Sequence, residues 1–343
     1  MKAVVYAAPR DFSIRELPIP IPGSGEVRVR VELAGVCGTD LHINDGTFFA
    51  TFPLTPGHEM VGTVEAIGVG VEGLTLGERV VVNGNSSCGT CDFCNEGRPL
   101  QCANLSALGV TGAGGFAEQV LTPAARCVSV GDMTPEVAVF AEPAACAMHG
   151  MEILAARPGS TALVLGSGPT GLLLAQLLMH NGGTRVTVAA PTQFKLEVAR
   201  SLGIDEVVEI PRDPAGAFAL LRQARPAGWD TVVVATAVPG VFEIATPLTR
   251  DGGTVLWYGV TTPEDRVAVS PYDVYRREIT IKGSFAQVTS FRHAVRALQS
   301  GRVRTEGLTT HVFPLARFGA ALAAVRSDPT CLKAVINPRL GDS

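Results

Sequence analysis

Residues 161–180, TALVLGSGPTGLLLAQLLMH, form twenty consecutive positions without a charge, about the length a helix needs to cross a bilayer. The GSGPTG at its centre argues against a single helix and for a short buried strand that turns into a buried helix. Gly166, Gly168 and Gly171 then stand as G-x-G-x-x-G, with Pro169 and Thr170 between the last two. Glycines at this spacing permit the tight turn, the close approach of a pyrophosphate and the packing of helix on strand, while the helix N-terminus receives phosphate charge. The pattern is common by itself. Its context, one strand before it and a second, VTVAA, about twenty residues on, makes it a dinucleotide site.

The remainder of this half repeats the alternation. EVVEI, TVVVAT, TVLWYGV and ITIKGSF are strand-like runs with helical or loop segments between them, the texture of βαβ units and a parallel sheet. Residues 1 to about 150 differ: Gly- and Pro-rich, with short Val-rich runs such as EVRVRVEL and ERVVVNG bounded by turn residues, they imply a β-rich domain. After Phe285, FRHAVRALQSGRV and CLKAVINP look like a helix and a strand that leave the parallel sheet. The expected domains are therefore 1–150 with 286–343, and 151–285.

With 343 residues, 46% of them hydrophobic and 17% charged, both domains can bury a core. The formal charge of −4 and the scattered Lys and Arg leave no footprint for nucleic acid or an anionic membrane. The charged N-terminus, MKAVVYAAPRDFSIREL, breaks any signal-peptide apolar region, so the expectation is a cytoplasmic protein working on small molecules.

In that compartment cysteines point to metal before disulfides. CGTCDFCNEGRPLQC, residues 88–102, brings Cys88, Cys91, Cys94 and Cys102 into one tight loop, with Gly89 and Gly97 at its turns. Four sulfurs with no open position describe a closed structural zinc site; free thiols, a redox switch and an iron–sulfur cluster are the other uses of such a loop. A second ligand set is open. CGTDLH supplies Cys37, Thr39, Asp40 and His42, and PGHEMVGTVEAIGVGV supplies His58 and Glu59. Singly these are a small hydrophobe, a loop histidine and a surface charge; together one sulfur, one nitrogen and one carboxylate are a set that zinc accepts with room for a substrate oxygen.

At this point the chain resembles the zinc-dependent alcohol dehydrogenases of the medium-chain dehydrogenase/reductase superfamily along essentially its whole length, and most closely their polyol dehydrogenase branch (the sorbitol and arabinitol type). Gly57, His58, Glu59, Gly62, Gly68 and Val71 stand at that family's zinc signature spacing, and the four-Cys lobe follows in its place. The resemblance implies an α/β fold: a Rossmann doubly wound parallel sheet plus a GroES-like β-rich catalytic domain. It implies two zinc ions per chain, the catalytic one on Cys37 and His58 with Glu59, directly or through water exchange. Glu142, in FAEPAACAMHG, falls where the polyol branch has a Glu near the metal. By the same resemblance Thr39 is hydrogen-bonded to the substrate oxygen and His42 passes its proton to solvent, a task suited to imidazoles, which titrate near neutral pH. The expected reaction is reversible hydride transfer between a secondary alcohol (a polyol, sugar alcohol or cyclitol) and a nicotinamide dinucleotide, in a dimer or tetramer of the chain.

Two departures from the family matter. NAD-specific relatives end the second strand in an acid that holds the ribose 2'-OH, and counting back from Lys195 and Leu196 that position is Ala190. The balance tips to NADP, with dual use next, and Thr192, Gln193 and Lys195 are the candidates for a 2'-phosphate. Sorbitol-type relatives also carry an Arg after the Phe of KGSF, where Ala286 and Gln287 follow Phe285 here. The expected substrate contacts are accordingly Phe48, Phe49, Glu142 and Gln287. Two rival readings compete: a zinc-ribbon nucleic-acid binder, opposed by the acidic balance and the open metal site, and a catalytically silent relative or sensor of the same fold, opposed by the intact Cys37, Thr39, His42, His58 and Glu59.

Overall fold

The computed structural model describes residues 1–341, which divide into two compact units. The first contains Met1–Ala145, Gln287–Ser300 and the chain from Thr305 onward; the second contains Cys146–Ala286 and Gly301–Arg304. The division falls inside the helix Ala141–Leu154, which is why the sequence shows no hinge there. The excursion of 301–304 was expected in the first unit. It belongs to the second because buried Gln176 accepts the Arg304 backbone N–H at 2.8 Å and donates to its carbonyl at 3.0 Å.

In the first unit a seven-stranded sheet runs in the order Thr309–Pro314, Lys333–Asn337, Glu26–Val36, Glu59–Ile67, Arg79–Val82, Cys127–Ser129, with Gln119–Pro123 also paired to Glu26–Val36. The long strand Glu26–Val36 alternates buried and half-buried residues at its start and is wholly buried from Val31 on. That change marks where a one-sided sheet becomes a central one. Val27, Val29, Val31, Val64, Val80 and Val82 face a core closed by Tyr6, Phe116 and Phe318, the last two with ring centroids 5.0 Å apart. Each such side chain stabilises the unit by about 1.5–3 kcal/mol.

The second unit is a parallel sheet of six strands in the order Glu206–Glu209, Arg185–Ala190, Thr161–Leu165, Trp229–Val234, Thr249–Trp257, Thr280–Gly283. Strand order reverses beside Thr161–Leu165, the switch point outside which a doubly wound sheet binds its ligand. The uncharged stretch 161–180 resolves into the fully buried strand Thr161–Leu165 and the helix Pro169–Met179, separated by a turn.

Candidate active site

The open ligand set assembles because Cys37 caps a helix. In Gly38–Asp45 the Cys37 sulfur accepts the Thr39 N–H at 3.2 Å, while Asp40 Oδ2 accepts the Cys37 N–H at 2.9 Å, a reciprocal cap in which sulfur takes the place usual for a hydroxyl. His58 precedes the strand Glu59–Ile67, and its Nε2 lies 3.2 Å from Cys37 Sγ. The Cys37, His58 and Glu59 donor atoms all lie within 4.8 Å of one another. For a tetrahedral zinc with Zn–S about 2.3 Å and Zn–N about 2.05 Å the sulfur–nitrogen edge is about 3.6 Å, so the pair stands within about 0.4 Å of that edge.

The surroundings are those of a cation site. Burial alone would depress the His58 imidazole, but Cys37, Asp40 and Glu142 outweigh it and raise its pKa well above the ordinary value. Among the described residues His58 Nδ1 has no hydrogen-bond partner, and it faces Asp40 Oδ1, equally unpartnered, at 3.7 Å. A carboxylate behind the remote nitrogen of a ligating imidazole orients it and raises its basicity. Asp40 is 2% exposed, and burial pushes its carboxyl up to about 6.

Glu59 is shared. Both its oxygens accept from Lys333 Nζ, at 2.8 and 2.7 Å, and both side chains are buried. Three adjacent strands make this pair: Glu59 is in register with Gly35, and Lys333 sits one residue before Ala334, which pairs with Val36. The ammonium and carboxylate meet across Gly35, where an added Cβ would collide with Glu59 Oε2. Lys333 is the residue that motif reading misses, and Asp40, named with the CGTDLH segment, is given no role by it. Asp40 is legible as the N3 partner of a capping box; Lys333 has no local signal.

Thr39 and His42 are three residues apart on the Gly38–Asp45 helix and so are neighbours on its surface, while Asp40 and Ile43 are its buried residues. His42 Nδ1 lies 2.9 Å from Thr47 Oγ1. Phe48 and Phe49 follow, stacked with centroids 4.4 Å apart; Phe48 packs on the core and Phe49 is exposed. Glu142 is buried in the first turn of Ala141–Leu154 and contributes its charge to both His58 and Lys333. Gln287 differs from its expected place in a pocket wall. It is completely buried, its side-chain amide donates to Asn83 Oδ1 at 2.8 Å, and its backbone carbonyl accepts from Asn85 Nδ2 at 3.0 Å. It braces the 83–85 turn.

The cysteine loop closes on itself. Its Sγ···Sγ separations are 4.0 Å (Cys88–Cys94), 3.6 Å (Cys91–Cys94), 3.8 Å (Cys91–Cys102) and 3.5 Å (Cys88–Cys102). A tetrahedron with Zn–S about 2.3 Å has edges of about 3.8 Å, so the quartet is preformed for the ion. Backbone N–H groups of Thr90 and Cys91 point at Cys88 Sγ, at 3.5 and 3.4 Å, and the Thr90 N–H leads the contacts that push its thiol down to about 5.

In the second unit the glycine loop divides its labour. Gly166 has φ +122°, and a Cβ there would sit 2.6 Å from Ala235 O; at Gly171 a Cβ would strike Gly166 O. At Gly168 a Cβ meets nothing within 4 Å, so this glycine leaves open space rather than serving protein packing. It is the N-cap of Pro169–Met179 and offers no side-chain cap, so the first-turn N–H groups are free for a phosphate. Ala190 ends its strand, 3% exposed, in register with exposed Glu209 on the next strand. Thr192 caps the helix Gln193–Ser201 through its backbone only, and Gln193 and Lys195 lie in the first turn.

A closed sulfur site and an open mixed-ligand site in a β-rich unit, joined to a nucleotide-type sheet in the same chain, define zinc-binding nicotinamide dehydrogenases. Residues 23–132 match the alcohol dehydrogenase GroES-like domain and residues 169–300 the zinc-binding dehydrogenase domain, and the chain belongs to the zinc-dependent medium-chain alcohol dehydrogenase superfamily, in its polyol dehydrogenase branch. It is 43% identical to D-arabinitol dehydrogenase 1 of Uromyces fabae over 340 residues, covering 98% of this chain and 97% of that protein. It is 34% identical to D-altritol 5-dehydrogenase of Agrobacterium fabrum, covering 97% and 98%. The structure of a zinc-binding dehydrogenase from Sinorhizobium meliloti 1021 bound to NADP superposes with a TM-score of 0.92 at 31% identity, covering 98% of this chain and 99% of that one. The chain is thus a zinc- and NAD(P)-dependent oxidoreductase.

Proposed function

We propose that this enzyme interconverts a polyol or related secondary alcohol and its ketone with NADP as the better cofactor. The observation that carries the reading is the open donor set of Cys37, His58 and Glu59, backed by Asp40, on the helix that also bears Thr39 and His42. A zinc ion there and a nicotinamide dinucleotide supply, respectively, Lewis acidity that eases ionisation of the substrate hydroxyl and the acceptor for its hydride. The chain's own residues do the rest. Cys37 and His58 hold the ion, Asp40 orients His58, and Glu59 and Glu142 are the carboxylates available to complete the shell. Thr39 hydrogen-bonds the substrate oxygen, and His42 carries its proton to solvent. Phe48 and Phe49, stacked on each other, are the apolar side chains assigned to the substrate's carbon chain. Cys88, Cys91, Cys94 and Cys102 hold a second, structural zinc.

Ala190 supports NADP because no carboxylate on its own strand opposes a 2'-phosphate, and Thr192, Gln193 and Lys195 lie within the turn and first helical residues beyond it. Similarity to relatives named for D-arabinitol and D-altritol favours an acyclic polyol. The protein acts in the cytoplasm as a dimer or tetramer, the latter readable by light scattering. The test is an initial-rate panel of C5 and C6 polyols and their ketoses, with NAD and NADP side by side, on protein of measured zinc content. Turnover is expected at two zinc ions per chain. No turnover of any secondary alcohol by fully zinc-loaded protein would end the polyol reading.

A further inference from the structure

The Gly38–Asp45 helix ends at Gly46, and the next residue, Thr47, turns its hydroxyl back onto the histidine of that helix. Thr47 Oγ1 lies 2.9 Å from His42 Nδ1 and 3.4 Å from the His42 carbonyl oxygen, and the Thr47 N–H donates to the same carbonyl at 2.9 Å. A threonine hydroxyl has one proton to give. The carbonyl can only accept, and with the hydroxyl proton given there the hydroxyl's lone pair is what meets Nδ1. That arrangement requires Nδ1 to carry a hydrogen.

We propose that Thr47 is a positioning residue of the proton path: its hydroxyl holds neutral His42 in the Nδ1–H tautomer and leaves Nε2 as the atom that takes the proton. This rests on the proposed role of His42 as proton carrier. In metal sites and catalytic pairs, a histidine's working nitrogen is set by the bond its other nitrogen makes, and here a hydroxyl does the setting. Among the described residues, Thr47 is the only hydrogen-bond partner of the His42 ring. The charged groups around it are committed elsewhere. Asp45, on the same helix, is held by both oxygens to Arg326 of the Phe318–Ser327 helix, with Arg10 4.0 Å away. Asp40 is buried on the metal side against Cys37 and His58, and the Tyr6 hydroxyl donates to Asn44. None of these fixes the imidazole, so the tautomer depends on Thr47.

The test uses the zinc-loaded enzyme and three variants, Thr47→Val, Thr47→Ser and His42→Gln, with kcat and KM for alcohol oxidation measured across pH. Histidine side-chain 15N shifts of the wild type and of Thr47→Val report the tautomer directly. Wild-type His42 is expected as Nδ1–H. Thr47→Val is expected to show mixed tautomers, a kcat lowered about 3–10-fold with KM changed less than about twofold, and a displaced acid limb, a share of the 10²–10⁴-fold that positioned proton transfer commands. Thr47→Ser should restore all three. An Nε2–H tautomer in the wild type overturns the inference outright, whether or not the valine variant folds. So does a Thr47→Val profile identical to wild type when His42→Gln abolishes the acid limb, an outcome that leaves the relay standing. A His42→Gln profile identical to wild type removes the relay itself, and the inference with it.

Discussion

Lys333→Met tests whether the buried pair over Gly35 holds the strands Glu26–Val36, Glu59–Ile67 and Lys333–Asn337 together. The ammonium is 4% and the Glu59 carboxylate 2% exposed, with two contacts of 2.7 and 2.8 Å between them. Burial by itself would depress the lysine's pKa, yet Glu59, Cys37 and Glu142 raise it above its ordinary value. The lysine is therefore charged, and methionine fills its volume without its charge. Removing one partner of such a pair leaves a carboxylate stranded out of water and costs about 3–5 kcal/mol, whereas removing both charges is near neutral. At about 2–4 °C per kcal/mol for a unit near 200 residues, the thermal transition of the first unit should fall by about 6–20 °C. Lys333→Met with Glu59→Gln should recover most of that. The assay is scanning calorimetry of zinc-loaded protein for the wild type, both single variants and the double. A loss below about 1 kcal/mol in Lys333→Met, or a double variant as unstable as the two singles added together, refutes the reasoning, since either outcome means the two charges are not coupled across Gly35.

Three further outcomes are expected. Gly168→Ala should keep wild-type thermal stability while weakening dinucleotide binding in a fluorescence titration, because its Cβ meets open space; Gly171→Ala should lose stability, because its Cβ strikes Gly166 O. Ala190→Asp should swing the ratio of kcat/KM for NAD over NADP upward by at least tenfold, and Glu209→Gln, which removes the carboxylate in register with Ala190, should move it the other way. Asp230 accepts from the Thr161 hydroxyl and amide and pairs with Arg250; these outweigh its partial burial and lower its pKa. A lowered folded pKa gives stability that is present above the unfolded carboxylate value of about 4 and is lost as pH falls through the folded one. The melting difference between wild type and Asp230→Asn should thus be constant from pH 5 to 8 and vanish in stronger acid.

What the sequence made legible was whatever lies close along the chain. The cysteine quartet is read within residues 88–102 and the glycine loop within 166–171 because their spacing is itself the geometry. Cys37 and His58 need a longer loop, yet each carries a local signature. Lys333 does not: in CLKAVINP it reads as an ordinary strand lysine, and only the pairing of Lys333–Asn337 with Glu26–Val36 brings it to a carboxylate 274 residues away. The proximity of Glu209 to Ala190 is hidden in the same way, since it follows from strand order. Gln287 was misplaced because one residue's position after Phe285 says which segment it belongs to, while its direction is set by Asn83 and Asn85, some 200 residues earlier. Side chains whose partners lie on other strands are the ones a linear reading loses.

The cap formed by Cys37 has a mechanical consequence. A single sulfur stands both in the proposed zinc donor set and at the start of the helix on which Thr39 and His42 ride, so the proposed ligand and proton carriers are fixed to one short element rather than brought together from two. On the proposed mechanism, swapping zinc for a larger metal would shift the Cys37 end of this helix and detune proton transfer and oxygen binding in step. On that reading, the enzyme's tolerance for other metals would be tied to the stiffness of one short helix.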